Sequence, residues 1–128
     1  MSEKTKVLYV EDAKEQADIV VTMLEYQLED VEVQVAKDGL EGIQKAREWD
    51  PDLILLDLMM PRTDGIEVIH RIRRDPKLRD TPIVVISAWV EPGSPMSRIV
   101  EKAGANAVFA KPVEATQLVN IVARYARR

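Results

Sequence analysis

Leu53-Ile54-Leu55-Leu56-Asp57 is the most apolar run of the chain, and it ends on a carboxylate. Four consecutive apolar residues predict a strand buried on both faces, as in the centre of a parallel sheet. The segment before this run closes at Trp49-Asp50-Pro51, which separates it from the preceding helical pattern. We therefore place a central strand at residues 53–56, with a candidate reactive group directly after it.

Four further strands are predicted around this one. They are Val7–Val10, the alternating segment Val31–Val35, the β-branched run Ile83–Ile86, and Ala107–Ala110. Between them, apolar residues recur at helical spacing. The five stripes are Ala17/Val20/Val21/Leu24/Leu28, Leu40/Ile43/Ala46, Ile66/Ile69/Ile72, Met96/Ile99/Val100/Ala103 and Leu118/Val119/Val122. Strict alternation of strand and helix predicts a doubly wound α/β protein with a parallel sheet covered on both faces.

Several residues predict where the helices begin and end. Asp12, with Glu15 three residues later, is a candidate cap for the first helix, and Asp64-Gly65 for the third. The third helix should end before Pro76, and the fourth at Gly104. The basic residues near the C-terminus, Arg124, Arg127 and Arg128, are interpreted as the favourable last turn of the fifth helix.

Polar groups follow four of the predicted strands. Glu11 and Asp12 come after the first, Asp57 after the third, Ser87 after the fourth and Lys111 after the fifth. The carboxyl ends of parallel strands share one edge of the sheet, where ligands bind. We therefore expect these five side chains to meet. Taken singly, Asp12 is better explained as a helix cap, Ser87 as a strand-end hydroxyl and Lys111 as a solvated loop lysine, but all these explanations would have to hold together.

The expected cluster has a definite chemistry. Three neighbouring carboxylates repel one another unless a cation is present, and hard oxygen ligands suit Mg²⁺. Lys111 could pair with a phosphoryl oxygen as a point charge, and Ser87 could donate a hydrogen bond to another. One carboxylate would then be free to attack phosphorus, as in aspartyl-phosphate chemistry.

Composition excludes several other classes of protein. The chain has 128 residues, which fits one domain spanning residues 1–128, and a net charge of −4, which disfavours nucleic-acid binding. It has no cysteine, so disulfides and thiolate metal sites are excluded. No run approaches the roughly 20 apolar residues of a membrane span, and the polar N-terminus fits no signal peptide. We expect a cytoplasmic protein that binds neither nucleic acid nor membrane.

The sequence resembles the receiver domains of two-component response regulators from about Lys6 to about Tyr125. The matching segments are Glu11-Asp12, Asp57-Leu58-Met59-Met60-Pro61-Arg62-Thr63-Asp64-Gly65, Ser87-Ala88 and Lys111-Pro112. The resemblance implies a flavodoxin-like three-layer (βα)5 sandwich with sheet order 2-1-3-4-5. It also implies a stand-alone, single-domain receiver that accepts a phosphoryl group from the phosphohistidine of a sensor kinase or phosphotransfer protein.

The resemblance also implies a role for each site residue. Asp57 would be the phosphoacceptor, Asp12 a direct Mg²⁺ ligand and Glu11 a ligand through water, while the Met59 backbone carbonyl would complete the protein ligands. Ser87 would bind a phosphoryl oxygen, Lys111 would bridge to Asp57 or the phosphoryl group, and the Lys111–Pro112 bond would be cis. The output surface would comprise the fourth helix, fifth strand and fifth helix, and a homodimer through the fourth-helix face is left open.

The chain departs from the family pattern near the expected switch. Val108 occupies the usual aromatic position three residues before Lys111, and Phe109 follows it. Met59 and Trp89 lie two residues beyond Asp57 and Ser87, and we interpret them as apolar screens that slow autodephosphorylation. The alternative for Trp89 is simple packing over the loop that follows it.

Two interpretations of single features and two rival functions complete the predictions. His70, and the cluster Arg71/Arg73/Arg74, are interpreted as a solvated helix face, with kinase docking the alternative for the arginines. One rival function is a Mg²⁺-dependent phosphohydrolase that uses an aspartyl phosphate. That class needs a second Asp two residues after the first, where this chain has Met59.

The other rival is a docking module that is never phosphorylated. We predict a phosphoacceptor rather than a turnover enzyme.

Overall fold

The computed structural model describes residues 4–127, and within them strands and helices alternate as predicted. The strands are β1 (Thr5–Val10), β2 (Val31–Ala36), β3 (Leu53–Leu56), β4 (Met59–Met60), β5 (Thr63–Asp64), β6 (Ile83–Ser87) and β7 (Ala107–Ala110). The helices are α1 (Lys14–Gln27), α2 (Gly39–Trp49), α3 (Gly65–Arg74), α4 (Pro95–Ala103) and α5 (Ala115–Tyr125). Only the short antiparallel hairpin of β4 and β5 was not predicted.

Five of the strands form one parallel sheet in the order β2-β1-β3-β6-β7. With the hairpin strands left out of the numbering, this is the predicted order 2-1-3-4-5. In the register of β1 with the central strand β3, Val7 lies beside Leu53 and Val10 beside Leu56. The residues that follow β1 and β3 are therefore neighbours at the same edge of the sheet, although 46 positions separate Glu11 from Asp57.

The sheet separates two hydrophobic cores. On one face, α2, α3 and α4 cover side chains such as Leu8, Ile54 and Val85. On the other face, α1 and α5 cover side chains such as Leu55 and Val84. Leu53–Leu56 is buried at every position, because residues on both sides of this strand face helices. The central strand therefore has the environment that its unbroken apolar run predicted.

The predicted cap of the first helix was wrong. Ala13, not Asp12, is the N-cap of α1, and no side chain caps the helix there. The carboxylate nearest that turn belongs to Glu11, whose Oε2 accepts the Ala13 N–H at 3.3 Å. Asp12 is exposed and has no capping bond, so its carboxylate is free for another role. Asp64, by contrast, caps α3 as predicted and accepts the N–H groups of Ile66 and Glu67.

Three apolar residues of the predicted helical stripes lie outside the core. Leu40 is 59% exposed, Met96 45% and Ile99 51%, so these positions of α2 and α4 face solvent. Their stripes are anchored by Ile43, Ala46 and Val100 instead. Spacing alone included Leu40 and Met96 because they lie one turn from the buried Ile43 and Val100. The two residues on α4 give that helix an apolar outer surface.

The interpretation of the arginine cluster as a solvated face was wrong for Arg73. Its guanidinium donates to the carbonyl oxygens of Gly104, Arg79 and Thr81 and to the side-chain oxygen of Asn106. Arg73 thus joins α3 to the end of α4 and the start of β6.

The remaining interpretations of basic residues follow the prediction in part. Arg71, Arg74 and His70 are exposed. Arg124 lies in the last turn of α5. Arg127 instead bonds Asp50 and the Pro51 carbonyl oxygen. Arg128 lies outside the described residues.

Candidate functional site

Three carboxylates meet at the carboxyl edge of the sheet. Glu11 and Asp12 directly follow β1 and Asp57 directly follows β3, and the Asp57 N–H donates to the Val10 carbonyl oxygen at 3.0 Å. One oxygen from each carboxylate lies within 4.8 Å of the others. Glu11 and Asp57 are buried, while Asp12 is exposed at the rim. The parallel pairing of β1 and β3 is what brings these groups together.

Lys111 enters the same cluster from β7. Its backbone N–H donates to the Ser87 carbonyl oxygen at 3.0 Å, which fixes the end of β7 against the end of β6. Its Nζ lies 2.5 Å from Glu11 Oε1, 2.7 Å from Gln16 Oε1 and 3.2 Å from Asp57 Oδ2. The Lys111–Pro112 bond is cis, as the resemblance implied. Lys111 therefore contacts two of the three carboxylates and lies closer to Glu11.

The two buried carboxylates carry opposite pKa shifts. Burial raises the pKa of Asp57 to about 6, with a further contribution from the negative charge of Glu11, against the opposing effects of the Met59 N–H and Lys111. Burial also acts to raise the pKa of Glu11, but the hydrogen bond and charge of Lys111 outweigh it and the net pKa is lowered. Without a further cation, one lysine serves two carboxylates and favours Glu11. The site is short of positive charge.

Ser87 lies beside this cluster but turns its hydroxyl to the backbone. The residue is completely buried, and its Oγ accepts the N–H of Trp89 at 3.1 Å. A cavity of about 170 Å³ opens over Asp57, and Asp12, Met59, Ala88 and Trp89 are among its lining residues. Of the predicted site residues, Glu11, Asp12, Asp57, Met59 and Lys111 line this cavity directly, whereas the Ser87 hydroxyl would have to rotate to reach it.

The cavity also has an apolar rim. Met59 is 52% exposed and Trp89 is 75% exposed, and both line the space above Asp57. The Met59 N–H donates to Asp57 Oδ1 at 3.1 Å, which holds the carboxylate against the first turn after β3. A thioether and an indole therefore border the position at which a group bound to Asp57 would lie.

The donor set fits a hard divalent cation. Carboxylate oxygens are the ligands that Mg²⁺ prefers, and its binding usually involves only one or two carboxylates plus water and phosphate oxygens. Glu11, Asp12 and Asp57 can supply such ligands from a partly solvated cavity. The positive charge would favour the ionised form of Asp57 against burial, the main cause that raises its pKa, and against the smaller contribution of the Glu11 charge. The clustering was predicted, and the role of each ligand, including the Met59 carbonyl, stays a prediction.

Two polar side chains of the site were missed in the sequence. The Tyr9 hydroxyl donates to Glu11 Oε1 at 3.0 Å, and Gln16 on α1 accepts from Lys111. Burial is the main cause that raises the pKa of Tyr9 far above its ordinary value, so the phenol stays a neutral donor. In the sequence, Tyr9 is indistinguishable from the apolar residues of the run Val7–Val10. The available signal was its spacing, since residues i and i+2 of a strand point to the same face.

Comparison with known proteins agrees with this geometry. The family model described as the response regulator receiver domain matches residues 7–123. The chain belongs to this family. Receiver domains are signalling modules of response regulators, so the family and the fold expected from the sequence are both confirmed.

Individual receiver proteins show how far the likeness extends. The DNA-binding dual master transcriptional regulator RpaA of Synechocystis sp. is 32% identical over 128 residues, covering 96% of this chain and 49% of RpaA. The chain thus spans about half the length of that curated relative. The chemotaxis response regulator CheY4 of Vibrio cholerae has a TM-score of 0.83 at 28% identity, covering 95% of this chain and 98% of CheY4.

A third relative is a metal-bound structure. The Mn²⁺-bound form of response regulator Rcp1 has a TM-score of 0.80 at 25% identity, covering 96% of this chain and 95% of Rcp1.

Within residues 4–127 of this receiver domain, none of the helices combines the length and hydropathy needed to cross a membrane.

Proposed function

We propose that residues 1–128 form one receiver domain that accepts a phosphoryl group on Asp57 from a phosphohistidine of a sensor kinase or phosphotransfer protein. The observation that carries this proposal is the meeting of Asp57 with Glu11, Asp12 and Lys111 in one small open cavity. Family membership adds the expectation of two-component signalling. In this proposal the chain is a phosphoacceptor that assists its own modification, and it is not a turnover enzyme.

The chemistry is an in-line displacement at phosphorus. A carboxylate oxygen of Asp57 forms the new P–O bond while the P–N bond to the donor imidazole breaks, and the bonding pair returns to the ring nitrogen. Such transfer needs positioning and charge neutralisation more than covalent help. The Met59 N–H holds the Asp57 carboxylate, and Lys111, already 3.2 Å from Oδ2, can turn to a phosphoryl oxygen. The Ser87 hydroxyl, which now accepts the Trp89 N–H, can rotate to donate to a second phosphoryl oxygen.

A Mg²⁺ ion held by Asp12 and Asp57, with Glu11 acting through water and the Met59 carbonyl completing the set, would neutralise phosphoryl charge when bound. Rcp1, which shares the fold, was crystallised with Mn²⁺. The exposed carboxylate of Asp12 supports this assignment because no capping bond engages it. Asp57 has room for a bound group because the cavity above it opens to solvent.

Signalling would follow from protein contacts around α4, β7 and α5. Met96 and Ile99 expose apolar surface on α4, and Trp89, between β6 and α4, exposes apolar surface at the rim of the site. Val108 is buried in the core, while Phe109 packs edge-on against Tyr125 with ring centroids 6.3 Å apart. A switch in this chain would therefore act through Ser87 and the segment between β6 and α4, which carries Trp89, rather than through an aromatic residue at position 108. A homodimer through α4 belongs to the same proposal, as does a cytoplasmic location.

Neither rival function is favoured. A phosphohydrolase of the kind considered needs an acid at position 59, where the half-exposed Met59 stands. A docking module that is never phosphorylated would have no use for three carboxylates and a lysine in one cavity.

Phosphorylation can be tested with a small phosphodonor. Incubation with Mg²⁺ and acetyl phosphate should add one phosphoryl group per chain, detected by intact mass spectrometry. The addition should disappear in Asp57→Asn and without Mg²⁺, but persist in the surface control Asp18→Asn. Continuous release of phosphate would favour the phosphohydrolase, and an unmodified wild-type chain would contradict the proposal.

A further inference from the structure

Glu11 is the most heavily engaged carboxylate of the site. It is only 2% exposed, and three donors reach it. The Tyr9 hydroxyl at 3.0 Å and Lys111 Nζ at 2.5 Å share Oε1, while the Ala13 N–H contacts Oε2 at 3.3 Å. Two side-chain donors therefore hold one oxygen, and the other oxygen keeps a single longer contact.

The two donors to Oε1 differ in freedom. Tyr9 is completely buried in the core beneath α1 and α5, so its ring and hydroxyl have a fixed position. Lys111 is a flexible side chain at the cavity wall. Its ammonium has three donors, and all three are used, on Glu11, Gln16 and Asp57. Lys111 can serve a phosphoryl group on Asp57 only by weakening one of these contacts.

Departure of Lys111 would leave Glu11 with an unpaired charge unless another donor remains. A buried carboxylate that loses its partner is strongly destabilised. Tyr9 is the donor in place for this purpose, because its bond to Oε1 does not depend on Lys111. Its bond to Oε1, together with the Ala13 N–H at Oε2, restrains the rotation of the carboxylate, and Oε2 carries only the longer contact of 3.3 Å.

We propose that Tyr9 is a positioning residue of the phosphorylation site: it orients Glu11 for a divalent cation and keeps Oε1 hydrogen-bonded when Lys111 turns to the phosphoryl group. This inference rests on the proposed function of Asp57 and adds a residue that acts through Glu11. Removal of the hydroxyl should weaken Mg²⁺ binding and slow phosphorylation. Simple core packing by Tyr9 would require the ring alone.

Tyr9→Phe tests the hydroxyl while it keeps the ring. We expect the Kd for Mg²⁺, measured by calorimetry, to rise about tenfold, as is typical when a group that orients a ligand is removed. We also expect slower modification by acetyl phosphate at saturating Mg²⁺. The matched control is Tyr26→Phe, since Tyr26 is 86% exposed on α1 and should leave both values unchanged. Equal behaviour of the two variants would overturn the inference.

A double-variant cycle separates positioning from packing. If Tyr9 acts through Glu11, Tyr9→Phe should change the Kd by less than about twofold in the Glu11→Gln background, because coupled residues are not additive. The same tenfold change in both backgrounds would assign Tyr9 a purely structural role. A wild-type chain that binds Mg²⁺ but is never phosphorylated would contradict the proposed function. The Kd values for Mg²⁺ would in that case still test whether Tyr9 positions Glu11.

The wild-type protein offers a second measurement that needs no folded variant. Proton NMR should detect the Tyr9 hydroxyl as a slowly exchanging proton, because the group is buried and bonded to a carboxylate. This protection should persist after Mg²⁺ and beryllofluoride are added to mimic the phosphoryl group. Loss of this protection when Mg²⁺ and beryllofluoride are added would show that the Tyr9 hydroxyl does not stay bonded to Glu11, and it would overturn the inference.

Discussion

The negative charge of Asp57 destabilises the folded protein when no cation is bound. Its folded pKa of about 6 lies above the ordinary value of 3.8, mainly because of burial. The native state therefore favours the protonated form, and this contribution to stability is complete below about pH 4 and lost as the pH rises through 6.

Asp57→Asn should accordingly stabilise the metal-free protein at neutral pH. Two pKa units correspond to a gain of roughly 2 kcal/mol in the free energy of unfolding after allowance for coupling to Glu11. Urea denaturation in a chelator should show this gain at pH 7.5 and little of it at pH 4. Asp18→Asn is the control, because Asp18 is exposed on α1. The prediction would be contradicted if the free energy of unfolding of the wild type increased relative to that of the variant as the pH rises.

Met59 and Trp89 should set the lifetime of the phosphoryl group. Both are exposed and border the cavity above Asp57, so their apolar groups limit the approach of water to phosphorus. We expect Met59→Asn and Trp89→Glu each to speed phosphoryl loss several-fold, measured after the phosphodonor is removed. Met96→Asn is the matched control, since Met96 is similarly exposed but lies on α4 away from the cavity. Unchanged lifetimes would leave Trp89 with a packing role only.

At the level of the elements, Arg73 is the main polar link between α3 and its neighbours. Arg73→Ala should lower the free energy of unfolding by about 2–3 kcal/mol, because charged hydrogen bonds to the Gly104 and Thr81 carbonyl oxygens are lost together. Arg73→Lys should recover only part of this loss, since an ammonium lacks the planar fork. Arg71→Ala, on the exposed side of the same helix, should change little. Equal losses in urea denaturation for Arg71 and Arg73 would contradict this role.

Elements differ in how much the sequence revealed. The runs Leu53–Leu56 and Ile83–Ile86 were predicted as strands because a strand buried on both faces needs no periodicity. The start of α1 was predicted less well, because Glu11 and Asp12 are both acidic and only tertiary contacts decide which one engages the helix.

Long-range polar contacts were the hardest features to predict. The link from Arg73 to Gly104 spans 31 positions and leaves no local pattern. The β4–β5 hairpin is only two residues per strand, too short for a periodic signal. The site itself was predictable because the alternation of elements predicts a parallel sheet, and the carboxyl ends of parallel strands share the edge where Glu11, Asp57 and Lys111 meet. The strand order was implied by the family resemblance rather than by the alternation.

The whole molecule should be stabilised by the cation that the site is expected to bind. Glu11 and Asp12 reach Asp57 only through the pairing of β1 with β3, so the unfolded chain scatters the ligands. A ligand that binds only the folded state, at 100 times its Kd, adds about 2.7 kcal/mol to the free energy of unfolding.

The difference in the free energy of unfolding with and without Mg²⁺ therefore reports Mg²⁺ binding at the site. The wild-type gain should follow the logarithm of the Mg²⁺ concentration, and Asp12→Asn should lose most of it, because Asp12 offers the exposed carboxylate of the cluster. Asp30→Asn, an exposed acid immediately before β2 and outside the cluster, controls for general ionic screening. Equal stabilisation of Asp12→Asn and Asp30→Asn by Mg²⁺ would show that the ion binds elsewhere, and the three carboxylates would then need another explanation.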